Sequence, residues 1–290
     1  MKILLLTPLD KNNCTFFVVQ PLGLMYIASS LRKRFNHEIK LLDMKVHFMS
    51  DDDALKEIKN FSPDVVGIRS LTVEAAAVHR LLRRIKENHP SCKIIIGGPY
   101  TAGSSKRILD DSNVDFVVIG EGEETMCELI AEVEKGNRFP EISGIGYVRD
   151  GEVVFTPTRS PIQDLDSIPF PAWDLIDMES YFKLPSWNFH ISKHMAVFTS
   201  RGCPFKCAYC HNIFGKTTRL RSPENVLEEI DILYNQYEIS ELKIIDDIFN
   251  VNKSRVHNIC DMIVGKGYDL DICFPNGLRG DIMDKTTLQK

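Results

Sequence analysis

What this sequence lacks narrows it first. No stretch approaches the ~20 consecutive apolar residues that a membrane-crossing helix requires. The apolar start, Met1-Lys2-Ile3-Leu4-Leu5-Leu6-Thr7-Pro8, breaks at Asp10 and Lys11. It is too short for a secretory leader and reads as a buried first strand. The expectation is a cytoplasmic chain with no membrane span. Positive charge is not in excess: 35 Lys and Arg face 40 Asp and Glu, a net charge of −5. Nothing global draws such a chain to nucleic acid or anionic lipid. No Gly-x-Gly-x-x-Gly follows the first strand, and there is no P-loop. Gly120-Glu121-Gly122 runs into Glu123-Glu124, whose charges would repel a phosphate. Solenoid repeats and low-complexity tracts are also missing. Eight cysteines are too sparse for a disulfide scaffold of 290 residues.

What is present is rhythm. Apolar runs at 3–7, 39–43, 65–70, 93–96 and 116–119 read as strands. The first, third and fifth are nearly continuous, as in strands covered on both faces. Helical spacing of apolar residues marks 22–35, 74–88 and 123–135. Pro63 and Pro90 stand before strands, where they stop the preceding helix. Alternating strand and helix implies parallel strands joined by right-handed crossovers. Residues 1–140 are therefore expected to form a five-stranded, doubly wound α/β domain. Such sheets bind ligands at the carboxyl ends of their strands. Those ends carry Pro8-Leu9, Ser70-Leu71-Thr72, Gly97-Gly98-Pro99 and Gly120-Glu121-Gly122. Each alone is an ordinary strand-to-helix turn; four together suggest a binding crevice.

Residues 141–194 differ. Two short strands flank Asp150-Gly151, a hairpin signal. Prolines follow at 157, 161, 169, 171 and 185, so an extended linker is expected. Both tryptophans, Trp173 and Trp187, lie here. Packing anchors are the expected role, with substrate stacking as the alternative.

A strand over 195–200 leads into Arg201-Gly202-Cys203-Pro204-Phe205-Lys206-Cys207-Ala208-Tyr209-Cys210-His211. Three thiolates this close repel unless something positive neutralises them. Structural zinc takes four protein ligands, and His211 directly after Cys210 is an awkward fourth. An iron–sulfur cube held by three Cys leaves one iron open to a small molecule. Beyond the cysteines, Ser222-Pro223 starts a helix to about 237. A strand over 241–245 ends at Asp246-Asp247; a helix over 253–265 and a strand over 271–275 follow. This is the opening of a (β/α) barrel over 195–290, with its chemistry at the strands' carboxyl ends. Three strands cannot close a barrel, so the chain is expected to be truncated or a fragment.

Cys203-x-x-x-Cys207-x-x-Cys210, with Tyr209 before the last Cys and a strand before the first, resembles the radical S-adenosylmethionine (SAM) superfamily. The resemblance implies a [4Fe-4S] cluster on these three cysteines. SAM would chelate the fourth iron and be cleaved reductively to a 5′-deoxyadenosyl radical. It implies adenine contact near Tyr209 and contact of Asp246 and Asp247 with the SAM amino group. Arg279 would take its carboxylate or ribose. An electron donor such as flavodoxin or ferredoxin and a small-molecule substrate are implied partners.

The whole chain resembles the subgroup with an amino-terminal cobalamin (B12)-binding domain of flavodoxin-like fold. That likeness rests on Pro21-Leu22-Gly23-Leu24-Met25-Tyr26-Ile27-Ala28, Gly97-Gly98-Pro99, residues 118–125 and Ile168-Pro169-Phe170-Pro171. It implies cobalamin at Ser70, Leu71, Thr72, Gly97, Gly98, Gly120, Glu121 and Gly122. The cobalt-ligating Asp-x-His-x-x-Gly of many B12 domains is missing from residues 8–13, and Tyr100 stands where relatives often show His. The expected function is radical SAM chemistry, as a cobalamin-dependent methyltransferase or a ring-forming cyclase. The alternatives are a non-catalytic cobalamin or iron–sulfur sensor module and a zinc-stabilised interaction protein.

Overall fold

The computed structural model describes residues 1–11, 18–185, 191–211 and 213–289. The five apolar runs become strands, with helices between them. In chain order these are β1 (Lys2–Thr7), α1 (Leu22–Arg34), β2 (Glu38–Asp43), α2 (Asp51–Phe61) and β3 (Val65–Arg69). Then come α3 (Ala75–Asn88), β4 (Lys93–Gly97), α4 (Ser105–Leu109), β5 (Phe116–Val118) and α5 (Gly122–Glu134). Neighbours run in the order β2-β1-β3-β4-β5, all parallel. Leu4, Leu6, Val66, Ile68, Ile94 and Ile96 meet Ala54, Ile58, Val78 and Leu82 of α2 and α3. On the opposite face Leu5 and Met126 close over Gly67. Both faces are covered, so β1, β3, β4 and β5 are apolar through their middles, while edge strand β2 carries Glu38 and Lys40.

The hairpin is part of this sheet rather than of a connector. β6 (Ile145–Arg149) pairs antiparallel with β5, and β7 (Glu152–Phe155) with β6, giving seven strands. Asp150 and Gly151 at its tip both have positive φ, 52° and 84°, which matches the twist of the strands they join. Residues 169–177 also belong to this unit. Ala172 N–H donates to Met25 O at 3.2 Å, and Arg32 holds Asp174 at 2.8 Å. Trp173 is buried, as an anchor requires. Trp187 and Cys14 lie outside the described residues. The expected boundary near 140 thus moves to about Pro161, because sheet pairing and a docked loop carry the first unit further.

The second unit takes residues 162–168 and the chain from Met178. It contains α6 (Met178–Phe182), β8 (His194–Val197), β9 (Ser200–Arg201), β10 (Arg219–Leu220) and α7 (Pro223–Tyr237). β11 (Glu241–Ile244), α8 (Lys253–Lys266) and β12 (Asp271–Cys273) follow. β12, β11 and β8 form a parallel three-stranded sheet; β9 pairs antiparallel with β10. The run 195–200 is therefore two strands rather than one. The ladder with β11 ends at Val197, and Thr199 N–H goes to the Asp246 carboxylate at 2.6 Å, freeing the chain to turn. The Gln20 amide covers the other edge of β8, donating to His194 O (3.1 Å) and accepting from Ala196 N–H (3.2 Å). Among the described residues no helix is long and apolar enough to cross a membrane.

Candidate functional site

In the first unit the carboxyl ends of β1, β3, β4 and β5 lie along one edge of the sheet, since these strands are parallel. The turns after β3 and β4 are tied backbone to backbone. Ser70 N–H donates to Gly97 O (3.2 Å), and Tyr100 N–H donates to Ser70 O (3.0 Å). Gly98 has φ +84°, and a Cβ there would meet Ser70 O at 3.2 Å. Only glycine fits that close, left-handed position. Ser70 is buried, its hydroxyl donating to Leu71 O. Leu71 N–H donates to Glu74 at 2.7 Å, and Lys45 pairs with the same carboxylate, so Thr72 sits on a short turn pinned from the β2 side. Glu74 and Lys45 were not foreseen; their spacing in sequence carries no signal of this pairing.

The remaining glycines divide. Gly120 has φ +85° with open space around it. Gly122 serves packing: a Cβ would fall 2.9 Å from Ile27 of α1. Gly97 has ordinary geometry. Glu121 caps α5 from the extended region. At the end of β1 the Thr7 hydroxyl is buried with no hydrogen-bond partner. An edge of exposed backbone, one obligatory glycine and an orphaned hydroxyl fit a ligand gripped by main chain.

In the second unit the cysteines hang on the loop between β9 and β10. Gly202 (φ +86°) opens it, and a Cβ there would lie 2.3 Å from Thr217 O. The two limbs of the loop therefore touch at Gly202, and Cys203 N–H seals them by donating to Gly215 O (3.2 Å). Cys210 N–H donates to Cys207 O (3.1 Å), bringing these two into one turn. Cys203 is half-buried; Cys207 and Cys210 are exposed, and all three are free thiols. Tyr209 is 93% exposed. Among the described residues no three His, Cys, Asp or Glu side chains converge as on a metal ion. Metal–thiolate bonds themselves supply such convergence when a centre assembles. The donor set, three accessible thiols on one wrapped loop, fits an iron–sulfur cluster.

The two aspartates part company. Asp246 points inward and is buried; it accepts from Thr199 N–H (2.6 Å), Thr199 Oγ1 (2.5 Å) and Ser200 Oγ (2.7 Å). Burial pushes its carboxyl pKa up, against the pull of those donors. It holds the base of the cysteine loop, both carboxylate oxygens engaged by Thr199 and Ser200. Asp247 accepts from Gly202 N–H (3.2 Å) and faces His211 at 3.7 Å, beside the cysteines.

Buried arginines complete the base. Arg255 donates to Thr199 O and Arg221 O, each at 2.7 Å; Arg221 donates to Phe198 O (2.7 Å) and pairs with buried Glu229. Such arginines look like surface charge in a linear reading, and only tertiary contact reveals them. Arg279, after β12, stacks on Phe205 of the loop, its guanidinium carbon 3.5 Å from the ring centroid. Asp281 chiefly, and Cys207 after it, push its pKa up.

Comparison with known proteins follows the same division. A B12 binding domain model matches residues 12–130. An uncharacterized methyltransferase of Pyrococcus horikoshii is 37% identical, over 93% of this chain and 58% of its own. Cytidylyl-2-hydroxyethylphosphonate methyltransferase of Streptomyces wedmorensis is 33% identical, over 85% and 54%. The chain thus spans about half the length of the curated relatives it matches. The structure of the cobalamin-dependent SAM radical enzyme OxsB, with aqua-cobalamin and SAM bound, superposes with TM-score 0.79 at 20% identity, covering 93% of this chain and 38% of that one. The SAM methyltransferase TsrM of Kitasatospora setae gives 0.73 at 18%, covering 91% and 51%. The first unit thus matches a B12 binding domain, and the chain is similar over most of its length to these methyltransferases and shares the fold of the cobalamin-dependent SAM radical enzymes.

Proposed function

We propose that this chain carries the cofactor-binding part of a cobalamin-dependent radical SAM enzyme acting on a small molecule by methyl transfer or ring closure. The observation that carries the reading is the loop of three free, accessible thiols, closed at Gly202 and seated on a buried polar base. Cys203, Cys207 and Cys210 would hold a [4Fe-4S] cluster, and the turns at 70–72, 97–98 and 120–122 a cobalamin. When bound, the cluster supplies one-electron reduction of SAM and cobalamin supplies a methyl carrier. This chain's residues do the placing. Asp246, Thr199 and Ser200 fix the take-off of the loop. Asp247 is the remaining carboxylate beside the cysteines and would receive the SAM amino group. Tyr209, exposed between two cysteines, would border the adenine. Ser70 and Gly98 hold two turns together for the corrin. Free clustered thiols suit a reducing cytoplasm, where a flavodoxin or ferredoxin would deliver the electron.

The test is anaerobic reconstitution of the whole chain with iron and sulfide. Electron paramagnetic resonance of the reduced protein is recorded with and without SAM. A [4Fe-4S] signal that changes on adding SAM, and that is lost in Cys203→Ala, Cys207→Ala and Cys210→Ala, is expected. A signal indifferent to SAM would favour a non-catalytic module, and zinc without iron would overturn the reading. Absorbance after incubation with hydroxocobalamin tests the first unit independently.

A further inference from the structure

Phe205, at the centre of the span from Cys203 to Cys207, is held from two directions. Its ring lies against Arg279, whose guanidinium carbon is 3.5 Å from the ring centroid. Its carbonyl oxygen accepts from Lys216 Nζ at 2.9 Å, on the limb that returns to β10. Arg279 is itself placed from beneath. Gly277 (φ +81°) turns the chain after β12, its N–H donating to Phe274 O. Asn276 Nδ2 donates to Ile245 O (3.0 Å) and Asp246 O (3.1 Å), tying this turn to the end of β11. Asn250, buried, grips Arg279 by both backbone groups. Its Nδ2 donates to Arg279 O (2.9 Å), and Arg279 N–H donates to its Oδ1 (3.1 Å). Nε and Nη2 of Arg279 donate to Asp281 at 2.6 and 2.9 Å.

A carboxylate-matching edge is what Arg would offer the carboxylate of SAM. Here Asp281 already occupies that edge, and the flat face is turned to Phe205. We propose that Arg279 is a positioning residue acting through Phe205: the stack orders the span from Cys203 to Cys207 before any metal binds. A guanidinium over an aromatic face is attracted by the ring quadrupole. A span ordered in advance loses less conformational entropy when its thiolates take a metal. The stack therefore fixes the middle of the span and leaves the gathering of the thiols to the metal. Its consequence for iron rests on the three cysteines holding a [4Fe-4S] cluster; the ordering of the loop does not.

The whole chain, metal-free and kept reduced, is treated with a lysine-specific protease. Cleavage after Lys206, exposed on the loop, is followed by mass spectrometry. Arg279→Gln is expected to speed that cleavage roughly fivefold and to leave cleavage in the first unit unchanged. Phe205→Leu should do the same, and the double variant should be no faster than either alone. Phe205→Trp keeps an aromatic face and should stay within about twofold of wild type. An unchanged rate in Arg279→Gln would overturn the proposal, as would effects that multiply in the double variant. In the anaerobically reconstituted chain, release of iron to a chelator should quicken roughly fivefold in both single variants. Equal release at equal iron content would overturn the proposal too. So would a Gln variant that loses SAM affinity while its loop is cleaved at the wild-type rate, the behaviour of a direct SAM ligand. If Arg279→Gln fails to fold, Phe205→Leu, on a half-buried ring, carries the test. Absence of any cluster in the wild type would overturn the three-cysteine reading, and the protease rates would still decide the role of the stack.

Discussion

The two units build their candidate sites by opposite means. The first uses backbone: its turns bond to each other through Ser70, Gly97 and Tyr100 main-chain groups, on the edge of a sheet whose core is already complete. The second uses side chains: exposed thiols on a loop that is held from beneath by Asp246, Arg221 and Arg255. A backbone site exists before its ligand arrives, because hydrogen-bonded strands fix it. A thiolate site is gathered by its metal. The difference teaches that the first should tolerate side-chain change at its rim, while the second should fail at single atoms.

Gly202→Ala should give the largest effect. The added Cβ meets Thr217 O at 2.3 Å in a left-handed backbone, a cost on the order of 3 kcal/mol. Iron and sulfide incorporation should collapse while cobalamin uptake, read by absorbance, is unchanged. Coupled loss of both would break the contrast between the units.

Lys243→Met probes the sheet beneath the loop. Lys243 is buried, its ammonium has no hydrogen-bond partner, and Glu241 is 3.9 Å away. Burial pulls its pKa down to about 8 from the ordinary 10.5. The unfolded chain therefore binds more protons between pH 8 and 10.5, and wild-type stability rises with pH across that window. Below pH 8 the penalty is complete. The Met variant should be more stable there by up to about 3 kcal/mol. That advantage should shrink towards pH 10.5, as followed by denaturant titration. A pH-independent difference would show that the ammonium is solvated.

The third comparison lies within the first unit. Gly98→Ala adds strain at positive φ and three contacts at 3.1 to 3.3 Å; Gly120→Ala adds strain alone, in open space. Gly98→Ala should cost roughly 2 kcal/mol and weaken cobalamin binding; Gly120→Ala should cost about 1 kcal/mol. Thermal melts and cobalamin titration check the order, and a reversed order would place the critical turn after β5.

Five parallel strands were legible because strands covered on both faces must be apolar through their middles, as in Leu4-Leu5-Leu6 and Ile94-Ile95-Ile96. The start of α7 was legible too: Ser222 accepts from Asn225 N–H, with Pro223 at the first position. α2 was overlooked although its signal was present, Ser50 before three aspartates, and the structure shows the resulting capping box. The hairpin was legible, but its attachment to β5 was not. Pairing partners of an edge strand are set by three-dimensional adjacency, which alternation alone does not encode.

By itself the amino-acid sequence determined the order of strands and helices, the turns at Asp150-Gly151 and Gly98, and the trio Cys203, Cys207 and Cys210. These depend on local periodicity, on φ sign and on donor chemistry, all properties of short segments. Only the tertiary structure decided that Asp246 faces inward while Asp247 stays beside the cysteines, and that Gly122 is small for Ile27. It alone placed Arg279 on Phe205 with Asp281 across its edge. Those outcomes turn on which distant groups a side chain meets, and a buried carboxylate goes where donors await it because burying it unpaired would cost more than the contacts nearby could return.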